Sequence, residues 1–280
     1  MIDLHKEYLT LIQTSFHEDF GDFGDISVEA VFNDSDCTQA VLLSKADGVL
    51  AGVQAFELTF KTFDNSTHVV LHKKDGDKIF KGDVIAEVSG RTKTVLMGER
   101  TAINIIAFMS GIATQTALCV EAAKTSGHAL ILDTRKTLPG WRRLSKYAVR
   151  CGGGSNHRMG LYDMVMLKDN HIDAAGGISA AVGATVNRWG NRFAIEVETR
   201  NLDEVRQAVE AHADWIMLDN MDNETMRQAV KIINGRAKVE ASGNMTIERI
   251  AGVSATGVDF ISIGSLTHSV EAFDFSLRIK

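Results

Sequence analysis

The second half of the chain repeats one pattern: a short apolar run stops at a polar residue, and a helical stretch follows. The runs are Ala129–Leu132, ending in Asp133-Thr134-Arg135-Lys136; Met164–Leu167, ending in Lys168-Asp169-Asn170-His171; and Phe193–Val197, ending in Glu198. Then come Trp215–Leu218, ending in Asp219-Asn220; Lys238–Ala241, ending in Ser242-Gly243-Asn244; and Phe260–Ile263, ending in Gly264-Ser265. Amphipathic stretches such as Leu202–Ala211 and Asn223–Ile233 separate them. Apolar strands alternating with helices predict parallel βα units buried on both faces. Glu198, Asp219, Glu240 and Ser262 succeed one another at intervals of 21, 21 and 22 residues, a structural repeat of single βα units. Two closures can follow, a barrel or an open doubly wound sheet, and either gathers the C-terminal strand ends on one ligand-binding face. No GxGxxG follows the first strand, and six strands are fewer than eight, so an incomplete barrel is expected.

The first half is mixed. Residues 3–18 and Gln54–Phe63 read as helices, and Gln39–Lys45, Thr67–His72 and Val84–Val88 read as strands, with turn clusters at Lys74–Asp77 and Lys81–Asp83. A long apolar helix spans residues 98–124.

The net charge of -6 disfavours a general nucleic-acid binder. The charge is uneven, however. Arg135, Lys136, Arg142, Arg143, Lys146, Arg150, Arg158 and Lys168 fall in one window whose single acid is Asp163. Such a segment suggests a local anion pocket, with a solvated basic helix face through Arg142, Arg143 and Lys146 as the alternative. No run of 18 apolar residues predicts a membrane span, and residues 1–16 do not read as a secretory leader. Cys37, Cys119 and Cys151 show no CxxC spacing, which fits a reduced, cytoplasmic compartment.

The strand ends carry the chemistry. Arg135, Lys136, His157, Arg158, Lys168 and His171 form a cationic side, and Glu198, Asp219 and Glu240 an acidic one. Arginine forks match carboxylates and phosphates, lysine supplies a movable charge, and paired carboxylates hold Mg²⁺ or ribose hydroxyls. Ser242-Gly243-Asn244 and Ile263-Gly264-Ser265 resemble the backbone cups that bind phosphate in barrels, or else simple tight turns. Gly152-Gly153-Gly154 precede Asn156-His157-Arg158 and allow close backbone approach to a ligand. No HExxH or Cys/His zinc spacing occurs.

Three segments, Asp133–Gly140, Lys146–Gly160 and Leu167–His171, closely resemble the quinolinate phosphoribosyltransferases, also called nicotinate-nucleotide diphosphorylases (carboxylating). The likeness continues through Gly98–Asn104, Ile195–Glu198, Leu218–Asn220, Glu240–Asn244 and Ile261–His268, in order along nearly the whole chain. It implies an N-terminal α/β sandwich-like domain over residues 1–112, rejoined by about 269–280, and an incomplete seven-stranded α/β barrel over residues 113–268. It implies a transferase that moves phosphoribosyl from phosphoribosyl pyrophosphate (PRPP) to quinolinate with loss of CO₂. The products are nicotinate mononucleotide and pyrophosphate, in de novo NAD biosynthesis.

The resemblance also assigns roles. Arg135, His157 and Arg158 look like quinolinate-carboxylate ligands, and Arg100 like an arginine supplied to a neighbouring subunit's site. Lys136 and Lys168 look like the lysines near PRPP and the reacting centre. Glu198 and Asp219 look like the acids facing ribose and Mg²⁺, directly or through water. Ser242, Gly243, Asn244 and Gly264 look like a 5′-phosphate cup, with His268 close by. Many family members carry Ser-Gly-Gly where this chain has Ser-Gly-Asn. A homodimer or larger homo-oligomer is implied, with no nucleic-acid or membrane partner. The alternatives are a molybdenum-transport-associated paralogue (ModD-like) of unknown substrate, a Schiff-base aldolase using Lys168, and a carrier module built on the Asp75–Asp83 hairpin.

Overall fold

The computed structural model describes residues 4–280. In chain order the elements begin α1 (His5–Phe20), α2 (Ile26–Val31), β1 (Cys37–Ser44), β2 (Gly48–Val49), α3 (Val53–Phe63), β3 (His68–Leu71), β4 (Lys78–Ile79), β5 (Val84–Arg91) and α4 (Thr92–Lys124). They continue β6 (Leu130–Leu132), α5 (Arg142–Cys151), β7 (Val165–Leu167), α6 (Asp169–Ala175), α7 (Ile178–Trp189), β8 (Ile195–Thr199), α8 (Leu202–Glu210) and β9 (Trp215–Asp219). The last are α9 (Asn223–Ile233), β10 (Lys238–Ser242), α10 (Ile247–Ser254), β11 (Phe260–Ser262), α11 (Ser265–His268) and β12 (Phe275–Ile279).

Two compact units result. One comprises the residues up to Gln115 with Leu138–Gly153 and Ser269–Lys280, and the other Thr116–Thr137 with Gly154–His268. The first holds an antiparallel sheet ordered β12-β1-β5-β3. Its core is aromatic and aliphatic: Phe56, Phe60, Ile79, Ile85, Val88 and Ile106 are wholly buried. Each such side chain contributes about 1.5–3 kcal/mol relative to exposure. The 33 residues of α4 include a window apolar enough to cross a membrane, yet 61% of that window is buried inside the protein, as a core helix requires.

The first unit takes in Leu138–Gly153, and the second begins at Thr116. Leu138–Gly153 leaves the barrel unit because α5 buries Leu144, Ala148 and Val149 in the first unit. Trp141 packs edge-on against Phe108, Arg143 pairs with Glu7 at 2.7 Å, and the Tyr147 hydroxyl donates to Asp75 at 2.8 Å. Lys146 is fully buried, so α5 is not a uniformly solvated basic face.

The second unit holds a six-stranded parallel sheet ordered β6-β11-β10-β9-β8-β7. That is the sequence order taken around a ring, with the first strand hydrogen-bonded to the last and one gap between β6 and β7. A doubly wound sheet would instead reverse its order at a switch point. The topology is therefore that of an open barrel. Six strands form it where the family resemblance implies seven; the β6 edge carries a single parallel bridge, Leu132 to Ser155, in the seventh position. Only one residue there is extended, between the glycines of Gly152–Gly154 and an Asn156 already bound to Asp133.

Local chemistry sets the register of these units. Asp214 accepts from Ile195 N and Asp259 from Val239 N, each at 2.8 Å, so the residue before one strand pins the start of its neighbour. Asn201 and Asp222 cap α8 and α9 by accepting from the free amides of the first turns. The helices cover a continuous core through Val197, Val205, Ile216, Leu218, Met226, Val239 and Ile261.

Candidate active site

Side chains alternate across a strand, and here the two faces differ in chemistry. Val197, Ile216, Leu218, Val239, Ala241 and Ile261 face the helices as part of the core. Their neighbours Glu198, Met217, Asp219, Glu240, Ser242 and Ser262 line a cavity of about 760 Å³ at the C-terminal strand ends. That size suits a small-molecule site. Arg135, Lys136, His157, Arg158, Lys168, Gly243, Asn244, Gly264 and His268 complete its wall as candidate residues. Arg100 is the exception: it is exposed on α4 and is not part of that wall.

The cationic side is built from two pinned loops. Asp133, wholly buried after β6, accepts from Asn156 Nδ2 at 2.5 Å and from His157 N at 3.0 Å. Asp163 accepts from Met159 N and Gly160 N at 2.7 and 3.0 Å. Arg158 Nη1 donates to the Met164 carbonyl at 3.0 Å. Burial, and after it the charge of Arg135, lowers the Arg158 guanidinium below its ordinary range. Two arginines brought together in one cavity wall favour an anionic ligand that satisfies both forks.

The acidic side is hard and oxygen-rich. Lys168 Nζ donates to Glu198 Oε2, and Asp219 Oδ2 accepts from Asn220 Nδ2 at 2.8 Å. Each carboxylate keeps a second oxygen. Two carboxylates that leave further positions to substrate phosphates fit Mg²⁺, which is seldom held by an all-protein cage.

The loops after β10 and β11 present bare backbone. Gly243 has φ +93, and a Cβ there would collide with the Asn220 side chain and lie 2.9 Å from its backbone N. A Cβ on Gly264 would lie 3.1 Å from Lys136 Cδ, so this glycine lets the Lys136 stem pass. Asn244 and Asn220 both adopt positive φ, and Asn244 Nδ2 donates to Asn220 Oδ1 at 3.0 Å. Arg249 ties the two loops from behind, donating to the Asn244 carbonyl at 3.0 Å and to those of Gly243 and Met221 at 3.5 Å.

Beneath the arginines lies a buried trio. His157 Nε2 is 3.1 Å from Glu196 Oε2 and 3.2 Å from Glu240 Oε2, and both carboxylates are wholly buried. Glu240 Oε1 accepts from Ser262 Oγ at 2.5 Å. Burial, and then the Glu240 charge, raises the Glu196 carboxyl to about 7. Burial opposes a charged His157, and the two carboxylates outweigh it and raise the imidazole. His157 Nδ1 faces the Arg158 amide at 2.7 Å, which leaves Nε2 as the nitrogen that carries a proton toward the two carboxylates. An Nε2–H cannot ligate a metal ion, so the trio is a proton-sharing site although its three ligand atoms lie within 4.8 Å of one another. His157 thus reaches the cavity wall with both ring nitrogens occupied by the protein.

Glu196 and Arg249 escape a reading that stops at strand ends, and Asp133, which does end a run, carries no role in that reading. One signal was present: Ile195-Glu196-Val197-Glu198 alternates, as a strand with one polar face does. The basic window also divides. Arg135, Lys136, Arg158 and Lys168 line the cavity, whereas Arg142, Arg143, Lys146 and Arg150 belong to α5.

Comparison with known proteins agrees in detail. Residues 112–278 match the quinolinate phosphoribosyl transferase C-terminal domain, and residues 25–110 match the N-terminal domain of the same family. The chain is 42% identical over 275 residues to a Bacillus subtilis protein named probable nicotinate-nucleotide pyrophosphorylase (carboxylating), covering 98% of this chain and 94% of that one. It is 43% identical over 287 residues to the chloroplastic nicotinate-nucleotide pyrophosphorylase (carboxylating) of Arabidopsis thaliana, covering 96% and 82%. The crystal structure of NadC from Streptococcus pyogenes superposes with a TM-score of 0.95 at 37% identity, covering 100% of this chain and 98% of that one.

Proposed function

The chain belongs to the quinolinate phosphoribosyltransferase family, and from that premise we infer how its cavity carries out the family's reaction. The enzyme transfers phosphoribosyl from PRPP to the ring nitrogen of quinolinate, with decarboxylation, giving nicotinate mononucleotide, pyrophosphate and CO₂ for NAD biosynthesis. The observation that supports the assignment of roles is one cavity wall holding Arg135, Arg158, Lys136 and Lys168 opposite Glu198 and Asp219, with Gly243 and Gly264 in its loops.

Quinolinate brings two carboxylates, and Arg135 and Arg158 are the forks to receive them. The phosphate of PRPP fits the backbone amides of the Ser242–Asn244 turn and Gly264, with His268 beside them. Lys136 and Lys168 offer charge to the pyrophosphate. Glu198 and Asp219 face the ribose and would hold Mg²⁺, which supplies neutralisation of the pyrophosphate charge when bound. The pyridine nitrogen attacks C1′ with its own lone pair, forming the N–C1′ bond as the C1′–O bond breaks and pyrophosphate leaves with the electron pair. No strong general base is required. Positive charge developing on the ribose is met by Glu198 or Asp219. When the C2–carboxylate bond breaks and CO₂ departs, the electron pair stays on C2 as a carbanion, which the adjacent ring nitrogen, now positive, stabilises by its charge. A proton then adds at C2, and Lys136 or Lys168 holds or protonates that carbanion.

The finer assignments are part of the same proposal: Mg²⁺ as cofactor, a homodimer or larger assembly with Arg100 serving the neighbouring site, and a cytoplasmic location. The test is an end-point assay with quinolinate, PRPP and Mg²⁺, reading nicotinate mononucleotide and labelled CO₂ from C2. Product that requires both substrates is expected. Absence of product, with no calorimetric binding of quinolinate, would overturn the reading.

A further inference from the structure

Two carboxylates with no solvent exposure are costly to retain, and a cavity could be shaped more cheaply by apolar residues. Glu196 and Glu240 nevertheless converge on one atom, His157 Nε2, at 3.1 and 3.2 Å. Glu196 is not part of the cavity wall. The ring they hold is fixed on every side. Its Nδ1 faces the Arg158 amide at 2.7 Å, and its ring meets Trp215 edge-on at 6.1 Å, with Trp215 stacked on Phe260 at 4.4 Å. Glu240 is itself anchored by Ser262 at 2.5 Å.

The imidazole is therefore a strut between buried acids and the backbone of Arg158. Arg158 is held at a second point, where Nη1 meets the Met164 carbonyl at 3.0 Å. Its buried Nε has no hydrogen-bond partner among the described residues. An arginine held at its backbone amide and at one terminal guanidinium nitrogen keeps its remaining N–H groups in a set direction.

We propose that Glu196 and Glu240 are positioning residues that act through the Nε2–H of His157 to fix Arg158, and so enforce recognition of the second carboxylate of a pyridine dicarboxylate. This rests on the reading above that Arg158 receives a substrate carboxylate. Arg135 comes from the separate loop after β6, so loss of either acid weakens one carboxylate contact and spares the other. The selectivity for quinolinate over a pyridine monocarboxylate then falls, while the PRPP end of the cavity is untouched.

The test uses the full chain with Glu196→Ala, Glu240→Ala, Glu196→Gln and Glu240→Gln. A glutamine keeps an acceptor oxygen for Nε2–H, and an alanine does not. The alanine variants should raise KM for quinolinate roughly 10- to 100-fold, as expected for a lost buried hydrogen-bond partner, with KM for PRPP changed by less than about 2-fold. Calorimetric preference for quinolinate over picolinate should fall in parallel, and the glutamine variants should remain within about 3-fold of wild type. In ¹⁵N-histidine protein, assigned against His157→Gln, the wild-type His157 should show a protonated Nε2. An unprotonated Nε2 in wild type overturns the proposal even if the alanine variants fail to fold. Folded alanine variants with unchanged KM for quinolinate overturn it as well. Wild-type protein that binds no quinolinate would instead sink the functional reading, while the Nε2 signal would still report on the strut.

Discussion

The Lys168 ammonium is bonded to the Glu198 carboxylate, whereas Lys136 has no ion-pair partner among the described residues. The two lysines, similar in sequence context, thus differ in whether a counter-charge within the protein already holds them. Lys168 and Glu198 end neighbouring parallel strands, which sets the pair without help from the loops. Lys168→Ala leaves a carboxylate that is only 12% exposed without its counter-charge. Glu198→Gln should therefore partly offset Lys168→Ala in kcat/KM, with a coupling of about 1–3 kcal/mol. Lys136→Ala combined with Glu198→Gln should add within about 0.5 kcal/mol. Steady-state kinetics of the two double-mutant cycles measures this, and equal coupling in both would show that the pair is not a unit. The double variant Lys136→Ala with Lys168→Ala should lose turnover, and unchanged turnover would remove both lysines from the carbanion step.

Arg249 supports the phosphate cup without lining it. Its guanidinium donates to the carbonyls of Met221, Gly243 and Asn244, and so braces the loops after β9 and β10. Arg249→Ala should raise KM for PRPP by roughly 10-fold and leave KM for quinolinate nearly unchanged, since each lost charged hydrogen bond is worth about 1.5–3 kcal/mol and water replaces part of it. Arg249→Lys should recover little, because a single ammonium cannot span three carbonyls in a fork. A variant with both KM values intact would show that the loop holds its own shape.

The legible parts of the molecule are those governed by local pattern. Glu198 and Asp219 terminate apolar runs, so their place at the C-terminal face follows from strand length and strand polarity alone. The sequential order of β8, β9, β10 and β11 follows from βα units of nearly constant length. Glu196 was harder to see because it stands inside the Phe193–Val197 run, where an acid is compatible with an apolar strand only if another buried group takes up its charge. That group, His157, lies far away in sequence. Leu138–Gly153 departs from the barrel through contacts with Glu7, Asp75 and Phe108, none of which has a local signature. The two-residue strands β2 and β4 are too short to carry a period at all.

The three cysteines should separate cleanly by reactivity. Cys37 is exposed. Burial pushes the Cys119 thiol up to about 11. Burial first, and the Asp75 charge second, push Cys151 up to about 12. A raised thiol forms thiolate only as pH approaches the raised value, so at pH 8 the buried Cys119 and the half-buried Cys151 remain protonated and poorly nucleophilic. Iodoacetamide at pH 8 should modify one site in the folded protein and three after unfolding, as read by intact mass. Asp75→Asn removes the second cause and should speed Cys151 modification relative to Cys119. Equal labelling of Cys37 and Cys151 in the native protein would contradict the burial of that thiol.

Gly243 is where the backbone has least freedom to accept a side chain. At φ +93 any L-residue is strained, and the Cβ of an alanine would strike Asn220, whose own φ is +54. Either strain alone costs about 1–3 kcal/mol. Both loops would have to shift to accommodate it, and they are the ones that carry Asn220 and Asn244 to the cavity. Gly243→Ala should raise KM for PRPP by at least about 10-fold while the melting temperature falls by only a few degrees, because the turn lies outside the helix-packed core. Gly264→Ala meets a softer obstacle, the movable Lys136 stem at 3.1 Å, and should cost less. Activity titrations against PRPP, with thermal melts of the same preparations, decide between the two. If Gly264→Ala proves the more damaging, the passage of Lys136 across that glycine, rather than the turn at Gly243, limits the phosphate end of the cavity.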